Sequence, residues 1–147
     1  MYPESLIIPM REQLARAGIK ETRTAQAVGA ALALPGTTLV AVNAICDCAA
    51  ARMRPGLRLA LLTAEHKPDH MITVFAGQDT DATERTRSYF SPHPPTSPAV
   101  AILRDGKLIY LMQREQIDEL APQQVADELK RAFKEFCAPA TAERISN

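Results

Sequence analysis

The chain has 147 residues, 46% of them apolar and 23% charged, and its 17 Lys and Arg balance 17 Asp and Glu. That length suits one domain with a real core and is short for two ordinary ones. The even charge balance offers nothing to hold nucleic acid or an anionic membrane as the main partner, and no apolar run approaches the roughly 20 residues that span a bilayer. The N-terminus has Glu4 close to its start and lacks the basic opening, apolar run and small-residue site of a signal peptide. The expected compartment is therefore the cytoplasm. Three cysteines there do not make a disulfide framework.

Residues 2–18 read as a helix, with Leu6, Met10, Leu14 and Ala17 at helical spacing and Gly18 as a stop. Pro3 suits its first turn, whereas Pro9 disturbs an interior one. Thr22 or Thr24 caps a second helix that ends at Pro35-Gly36. The run "GTTLVAVNA" is β-branched and apolar on both sides, the mark of a strand buried on both faces. "CDC" follows it. "AAARMRPGLRLALLTAEH" is helix-forming, with a break marked by Pro55 and Gly56.

"MITVFAG" is a second buried strand. "DTDATERTRSYF" is a helix with Asp79 or Asp81 at its start and arginines toward its end, as the macrodipole favours. "SPHPPTSP" holds four prolines and excludes regular structure. "AVAILRDGKLIYLMQ" is two strands around Asp105-Gly106, a strong hairpin signal. "APQQVADELKRAFKEF" is an amphipathic helix with Val125, Leu129, Ala132 and Phe136 on its apolar face. From Gly36 the order is β-α-β-α-β-β-α. The crossover rule makes the first two strands parallel, and the hairpin adds antiparallel edge strands.

Cys46 and Cys48 lie where a strand ends and a helix begins. Residues two apart satisfy the Cα spacing of a disulfide, roughly 4.4–6.8 Å. So small a ring is tight, and a tight disulfide is easily reduced, which suits exchange better than bracing. Free N–H groups at a helix start favour a thiolate by about 0.3–1 kcal/mol. Asp47 between the two thiols works against this, and Arg52 or Arg54 compensates if either turns toward the pair. Two other readings stand beside the redox one. The pair is part of a metal site, although Cys137 and three scattered histidines supply no recognisable spacing for the four ligands zinc wants, or it is two small buried residues. The carboxyl ends of central α/β strands are where ligand sites gather, which favours the first.

With "TSPAVAIL", Pro98 immediately precedes a strand, a normal setting for a cis peptide. Taken with "IIPMREQLARAGI", "GTTLVAVNAICDCAAARMRP", "ITVFAGQD" and "SPAVAILRDGK", these residues make nearly the whole chain resemble the bacilliredoxin family of thioredoxin-like proteins. The resemblance implies an α/β thioredoxin-like fold: a mixed central sheet flanked by helices, with two extra N-terminal helices. The expected organisation is one domain over 1–147, with a core of about 36–137, a helical extension over 1–35 and a frayed tail over 138–147.

The family motif is Cys-Gly-Cys. By the resemblance, Cys46 is the attacking thiol, Cys48 the resolving thiol, and Asp47 replaces the glycine, changing charge and backbone freedom. Asn43, Thr96 and Ser97 are expected to line the thiol pocket, with the main chain before Pro98 pairing with substrate. The implied activity is a thiol–disulfide oxidoreductase that reduces mixed disulfides between protein cysteines and bacillithiol or another small thiol as co-substrate. It implies S-thiolated client proteins and a recycling reductase as partners, and no metal or bound cofactor. Protein disulfide isomerase or oxidoreductase activity would follow from the same chemistry. A non-catalytic thioredoxin-fold module that binds a partner or a metal is the contrasting class. Cys137 is expected to be non-catalytic, and His66, His70 and His93 to be surface residues.

Overall fold

The computed structural model describes residues 1–138; the expected tail lies, from residue 139 onward, outside the described residues. The elements in chain order are α1 (Glu4–Ala15), β1 (Lys20–Glu21), α2 (Ala25–Leu32), β2 (Thr37–Asn43), a π-helical turn (Ala49–Met53) running into α3 (Arg54–Thr63), β3 (His70–Phe75), α4 (Thr80–Ser88), β4 (Ala99–Arg104), β5 (Lys107–Met112), α5 (Arg114–Asp118) and α6 (Pro122–Cys137). One mixed sheet has the order β1-β3-β2-β4-β5. β1 and β2 run parallel to β3, β4 runs antiparallel to β2, and β5 is antiparallel to β4.

All seven residues of β2 are buried, because the pleat sends alternate side chains into two separate cores. Leu39 and Ala41 join Met53, Leu57, Leu129 and Phe133 beneath α3 and α6. Val40 and Val42 join Val28, Leu32 and Ala82 beneath α2 and α4. The β4–β5 hairpin turns on Asp105 and Gly106, both at positive φ (52° and 79°), as a two-residue turn of this hand requires. Thr24 caps α2, its hydroxyl accepting the Ala27 N–H at 3.1 Å. Thr22 instead donates its hydroxyl to the Thr73 carbonyl across the sheet.

The fold differs from the sequence expectation in three places. A strand of two residues, β1, lies between the N-terminal helices and pairs with β3; so short a segment carries no periodicity. β4 is not an edge, since it is inserted between β2 and β5 and its first five residues are buried. The short helix α5 follows the hairpin, started by Gln113, whose N–H donates to the Gln116 side chain.

Two helix faces also differ. α1 buries Ile7, Arg11 and Leu14, while Leu6 is 47% exposed. The apolar spacing read at Leu6 and Met10 is rotated because an arginine occupies the inward face. In α6 it is Phe133 that is fully buried, and Phe136 lies partly buried against the Tyr110 ring at 6.0 Å. The break at Pro55 takes the form of the preceding π turn, in which the Arg54 N–H reaches back to the Ala49 carbonyl. Proline has no N–H for the next α-helical bond, so the ladder widens ahead of it.

Gly56 lets α3 approach α6. A Cβ there would lie 2.6 Å from Val125 Cβ and 3.0 Å from the Pro122 carbonyl oxygen. Gly56→Ala should therefore destabilise the protein by about 1–3 kcal/mol, the usual cost of overpacking, as a lower midpoint in urea unfolding. An unchanged midpoint would show that the two helices separate freely.

Candidate active site

Strand register brings distant segments to one end of the sheet. Val42 pairs with Ala99 and Asn43 with Phe75. The chain leaving β2, the chain leaving β3 and the chain entering β4 therefore meet beside one another. They carry Cys46, Gly77 and Ser97-Pro98, and the Ser97–Pro98 peptide is cis, as is Ser91–Pro92. An open cleft of about 330 Å³ forms there, with Cys46, Gly77, Ser97, Tyr2, Arg87 and Arg114 among its walls.

Cys46 and Cys48 are joined in a disulfide, with Cα atoms 5.5 Å apart. The Cys46 carbonyl accepts the N–H groups of Ala49 and Ala50, both at 3.1 Å, so the helical backbone starts at this residue. The two sulfurs are unequal. Cys46 is half-buried and lines the cleft, whereas Cys48 is buried and packs in the core beneath α3 and α6. Asp47 is exposed, in helical backbone and without positive φ. The position does not demand the conformational freedom of glycine, and the carboxylate stands in solvent, where salt screens its charge.

Arg54 is the charged group behind the pair. The residue is 2% exposed. Nη1 donates to Asn43 Oδ1 at 2.9 Å and to the Ala44 carbonyl at 2.8 Å, and Nε donates to Gln13 Oε1 at 2.8 Å. None of the ion pairs among the described residues involves it. Burial pushes its pKa down, yet an arginine starts so high that it stays charged at neutral pH. A buried positive charge thus stands against the backbone two residues before Cys46. Arg52 points elsewhere, donating to the Leu120 carbonyl at 2.6 Å.

Asn43 does not face the cleft. It is buried, accepts the Ala44 N–H at 2.9 Å and donates to the Met10 carbonyl at 3.2 Å. It positions the strand end. The reason is β2 itself, whose complete burial leaves Asn43 only polar backbone and Arg54 to contact. Ser97 lines the cleft, while Thr96 and the buried Pro98 lie next to it without forming its walls. None of the three histidines lines it.

Cys137 lies at the other end of β2, facing the Thr37 hydroxyl with Asp69 and Arg104 nearby. The seven residues of β2 put it about 20 Å from the cleft end. Among the described residues, no group of three or more His, Cys, Asp or Glu is placed to hold a metal ion, and no helix is long and apolar enough to cross a membrane. Sequence reasoning did not identify Arg87 or Arg114 as cleft residues. Arg87 carried a signal only as a cation suited to the end of α4.

Among solved structures, the oxidised thioredoxin of Plasmodium falciparum is similar with a TM-score of 0.57 at 14% identity, over 82% of this chain and 99% of that one. A thioredoxin variant from Halobacterium salinarum gives 0.53 at 13% identity, over 82% and 92%. These likenesses define a thioredoxin fold. The family described as Disulphide isomerase matches residues 2–137. A bacilliredoxin of Koribacter versatilis is 50% identical over 143 residues, 97% of each chain. One of Geobacillus kaustophilus is 42% identical over 92% of this chain and 94% of its own. Together with the paired cysteines at the helix start, they make this protein a thiol–disulfide oxidoreductase. More narrowly, the chain belongs to the bacilliredoxin family.

Two measurements follow from the geometry. Arg54→Met removes every donor that reaches the Ala44 carbonyl side of the loop, and an orphaned buried acceptor costs about 1–3 kcal/mol. Urea unfolding should show that loss; a more stable variant would mean that desolvation of the cation outweighs its hydrogen bonds. Burial, reinforced by Asp69 and opposed by the Thr37 hydroxyl and Arg104, pushes the Cys137 thiol up. A raised pKa leaves less thiolate at neutral pH. In the reduced protein at pH 7, iodoacetamide should therefore label Cys46 before Cys137, with Cys137 labelling still accelerating above pH 9, read by mass spectrometry. Faster labelling of Cys137 at pH 7 would contradict that placement.

Proposed function

We propose that the protein reduces mixed disulfides between protein cysteines and a small thiol, bacillithiol in the first instance, through the Cys46/Cys48 dithiol. The observation that carries this is the asymmetry of the pair. One sulfur opens onto a cleft at a helix start and the other is withdrawn into the core one residue further on. The similarity of almost the whole chain to proteins named bacilliredoxin supports it.

In the reduced protein, the Cys46 thiolate attacks the small thiol's sulfur in the mixed disulfide. A new S–S bond joins Cys46 to the small thiol, and the client cysteine leaves as a thiolate that takes a proton from water. The helix-start N–H groups and the buried Arg54 charge favour the attacking thiolate. Cys48 then gives up its proton and attacks Cys46 Sγ. The Cys46–Cys48 disulfide forms and the small thiol departs. Its substituent occupies the cleft while Cys48, already seated below, needs no large movement. Two electrons from a recycling reductase or from free small thiol restore the dithiol. The cycle uses no metal and no bound cofactor, and it suits a reducing cytoplasm.

The matching family's description favours a second reading, exchange of disulfides between protein cysteines without a small thiol. The same two thiols would serve it. One experiment separates these readings and tests both. A test peptide carrying a bacillithiol mixed disulfide is mixed with wild type, Cys46→Ser and Cys48→Ser. Cys46→Ser should lose at least a hundredfold in rate of peptide-thiol release, and Cys48→Ser should accumulate a Cys46 adduct with the mass of the small thiol. If Cys46→Ser keeps the wild-type rate, the proposal fails. If wild type ignores this peptide but reshuffles a scrambled-disulfide protein, the second reading replaces it.

A further inference from the structure

Among the described residues, Tyr2 supplies the one aromatic ring in the walls of the cleft beside Cys46. It belongs to the segment ahead of α1, outside the sheet and outside both cores. The walls next to it are short side chains, Ala44, Ala76, Gly77 and Ser97. The ring therefore sets the height of its side of the cleft. Tyr2 is 37% exposed, so the ring is seated without being buried.

A residue outside the cores is normally loose, yet its neighbours fix this one. Gln78, in the turn after β3, grips its backbone. The Tyr2 N–H donates to Gln78 Oε1 at 2.9 Å, and Gln78 Nε2 donates to the Tyr2 carbonyl at 3.0 Å. The side-chain amide thus copies the paired bonds of a strand neighbour. Gln78 Nε2 also donates to Glu4 Oε2 at 2.8 Å, and Glu4 Oε1 accepts from the buried Arg11 at 2.8 Å. The latch leads in this way to the ion pair of Arg11 with Asp79. Pro3 adds a covalent restraint. Its ring fixes its own φ, here −57°, and its bulk holds the preceding residue extended. The Tyr2 ring lies against Gly77. A Cβ at that position would stand 3.2 Å from Tyr2 Cε2, and Gly77 has a φ of +84°, which favours glycine. Tyrosine has only two side-chain torsions, so holding its ring in one place costs little entropy.

We propose that Tyr2 is a specificity-determining residue for exchange at Cys46: its latched ring keeps a folded protein surface from closing over the thiol. The inference rests on the redox reading of Cys46 and adds the device that separates mixed disulfides from disulfides between two proteins. The Cys46 thiolate bonds to the attacked sulfur and the old S–S bond breaks. The leaving sulfur keeps the electron pair and takes a proton from water. Displacement at sulfur is in line, so the leaving group stays outside while the group on the attacked sulfur has to fit beside Tyr2. A single small substituent fits there, whereas the surface around a protein cysteine meets the ring. A clash of this kind discriminates against one partner without adding contacts to the other. Gln78 acts through Tyr2 and is a positioning residue.

The test uses one folded protein with a single surface cysteine, presented as its mixed disulfide with 2-mercaptoethanol and as its disulfide-linked homodimer. Each rate of protein-thiol release by the reduced enzyme is divided by that of free dithiothreitol, which removes intrinsic differences between the two disulfides. Wild type should favour the hydroxyethyl adduct by about tenfold or more, and Tyr2→Ala should narrow that preference by about fivefold through faster attack on the homodimer. Tyr2→Phe should keep the wild-type preference, because the ring forms the wall and the hydroxyl does not. Gln78→Ala should narrow it by about twofold, since the ring is then seated but no longer latched. Tyr2 lies outside both cores, so its replacement does not endanger folding. A second readout needs no redox chemistry: the reduced proteins are labelled with N-ethylmaleimide or fluorescein maleimide and Cys46 is followed by mass spectrometry. Tyr2→Ala should raise the ratio of bulky to small labelling. An unchanged preference or labelling ratio in Tyr2→Ala, or a lost preference in Tyr2→Phe, would overturn the wall and leave the redox reading standing. If wild type releases the thiol from neither disulfide, the redox reading falls and this inference falls with it.

Discussion

A strand buried along its whole length has to leave the sheet somewhere, and the polar backbone at that point needs partners. In this protein the strand is β2, the exit is Asn43-Ala44, and the partner is the guanidinium of Arg54. Arg54 comes from the first turn of α3, the helix that the cysteine loop leads into. The loop is therefore held at both ends by one stretch of chain. Its short span leaves Cys46 at the surface and turns Cys48 inward. The same contact puts a desolvated positive charge behind the thiols, where a low local dielectric strengthens its field. One side chain thus meets the structural need and supplies the charge that the proposed chemistry would use.

The N-terminal helix makes that arrangement rigid. Met10 accepts from Asn43, Gln13 accepts from Arg54, and Arg11 grips Asp79 beyond the end of β3. Arg11 also lies over the Phe75 ring and bonds Glu4 at 2.8 Å. These neighbouring residues of one helix thus tie down the ends of two parallel strands and the first turn of α3. Buried ion pairs contribute modestly to net stability, because desolvation offsets attraction. Their value here is geometric. They hold the loops after β2 and β3 at a fixed separation, and a cleft between loops needs that support to keep its shape.

The two sulfurs of the disulfide lie at different depths. Exchange chemistry needs one sulfur that a bulky mixed disulfide can reach and another that meets only the first sulfur. The two sulfurs differ in depth because Cys46 lies in the short loop after β2 and Cys48 sits within a helical turn whose inward face is the core, which is the asymmetry the proposed exchange would use. The residue between them faces out for the same reason. Helical geometry turns Asp47 away from the core, so the side chain that most separates this chain from the Cys-Gly-Cys pattern is the one least engaged with the fold. Cys137, at the far end of β2, belongs to a different surface.

Much of this was legible along the chain, because short-range periodicity reports burial directly. The two-faced apolar run of β2, the hairpin at Asp105-Gly106, the cap at Thr24 and the interruption at Pro55 each depend on a few adjacent residues, and so does a pair of cysteines at a strand end. The mixed sheet with two N-terminal helices followed from them. What only the tertiary structure decided is which distant groups satisfy one another. β1 is too short to show a period and exists because β3 offers it an edge. Arg11 sits on the buried face of α1 because Asp79, 68 residues away, is there to meet it. Asn43 serves the strand end and not the cleft because Arg54 and Met10 claim its side chain. Arg87 and Arg114 become neighbours of Cys46 only when the end of α4 and the start of α5 pack around it. A local pattern says whether a side chain is buried; what a buried polar group is paired with is settled by packing between elements far apart in sequence.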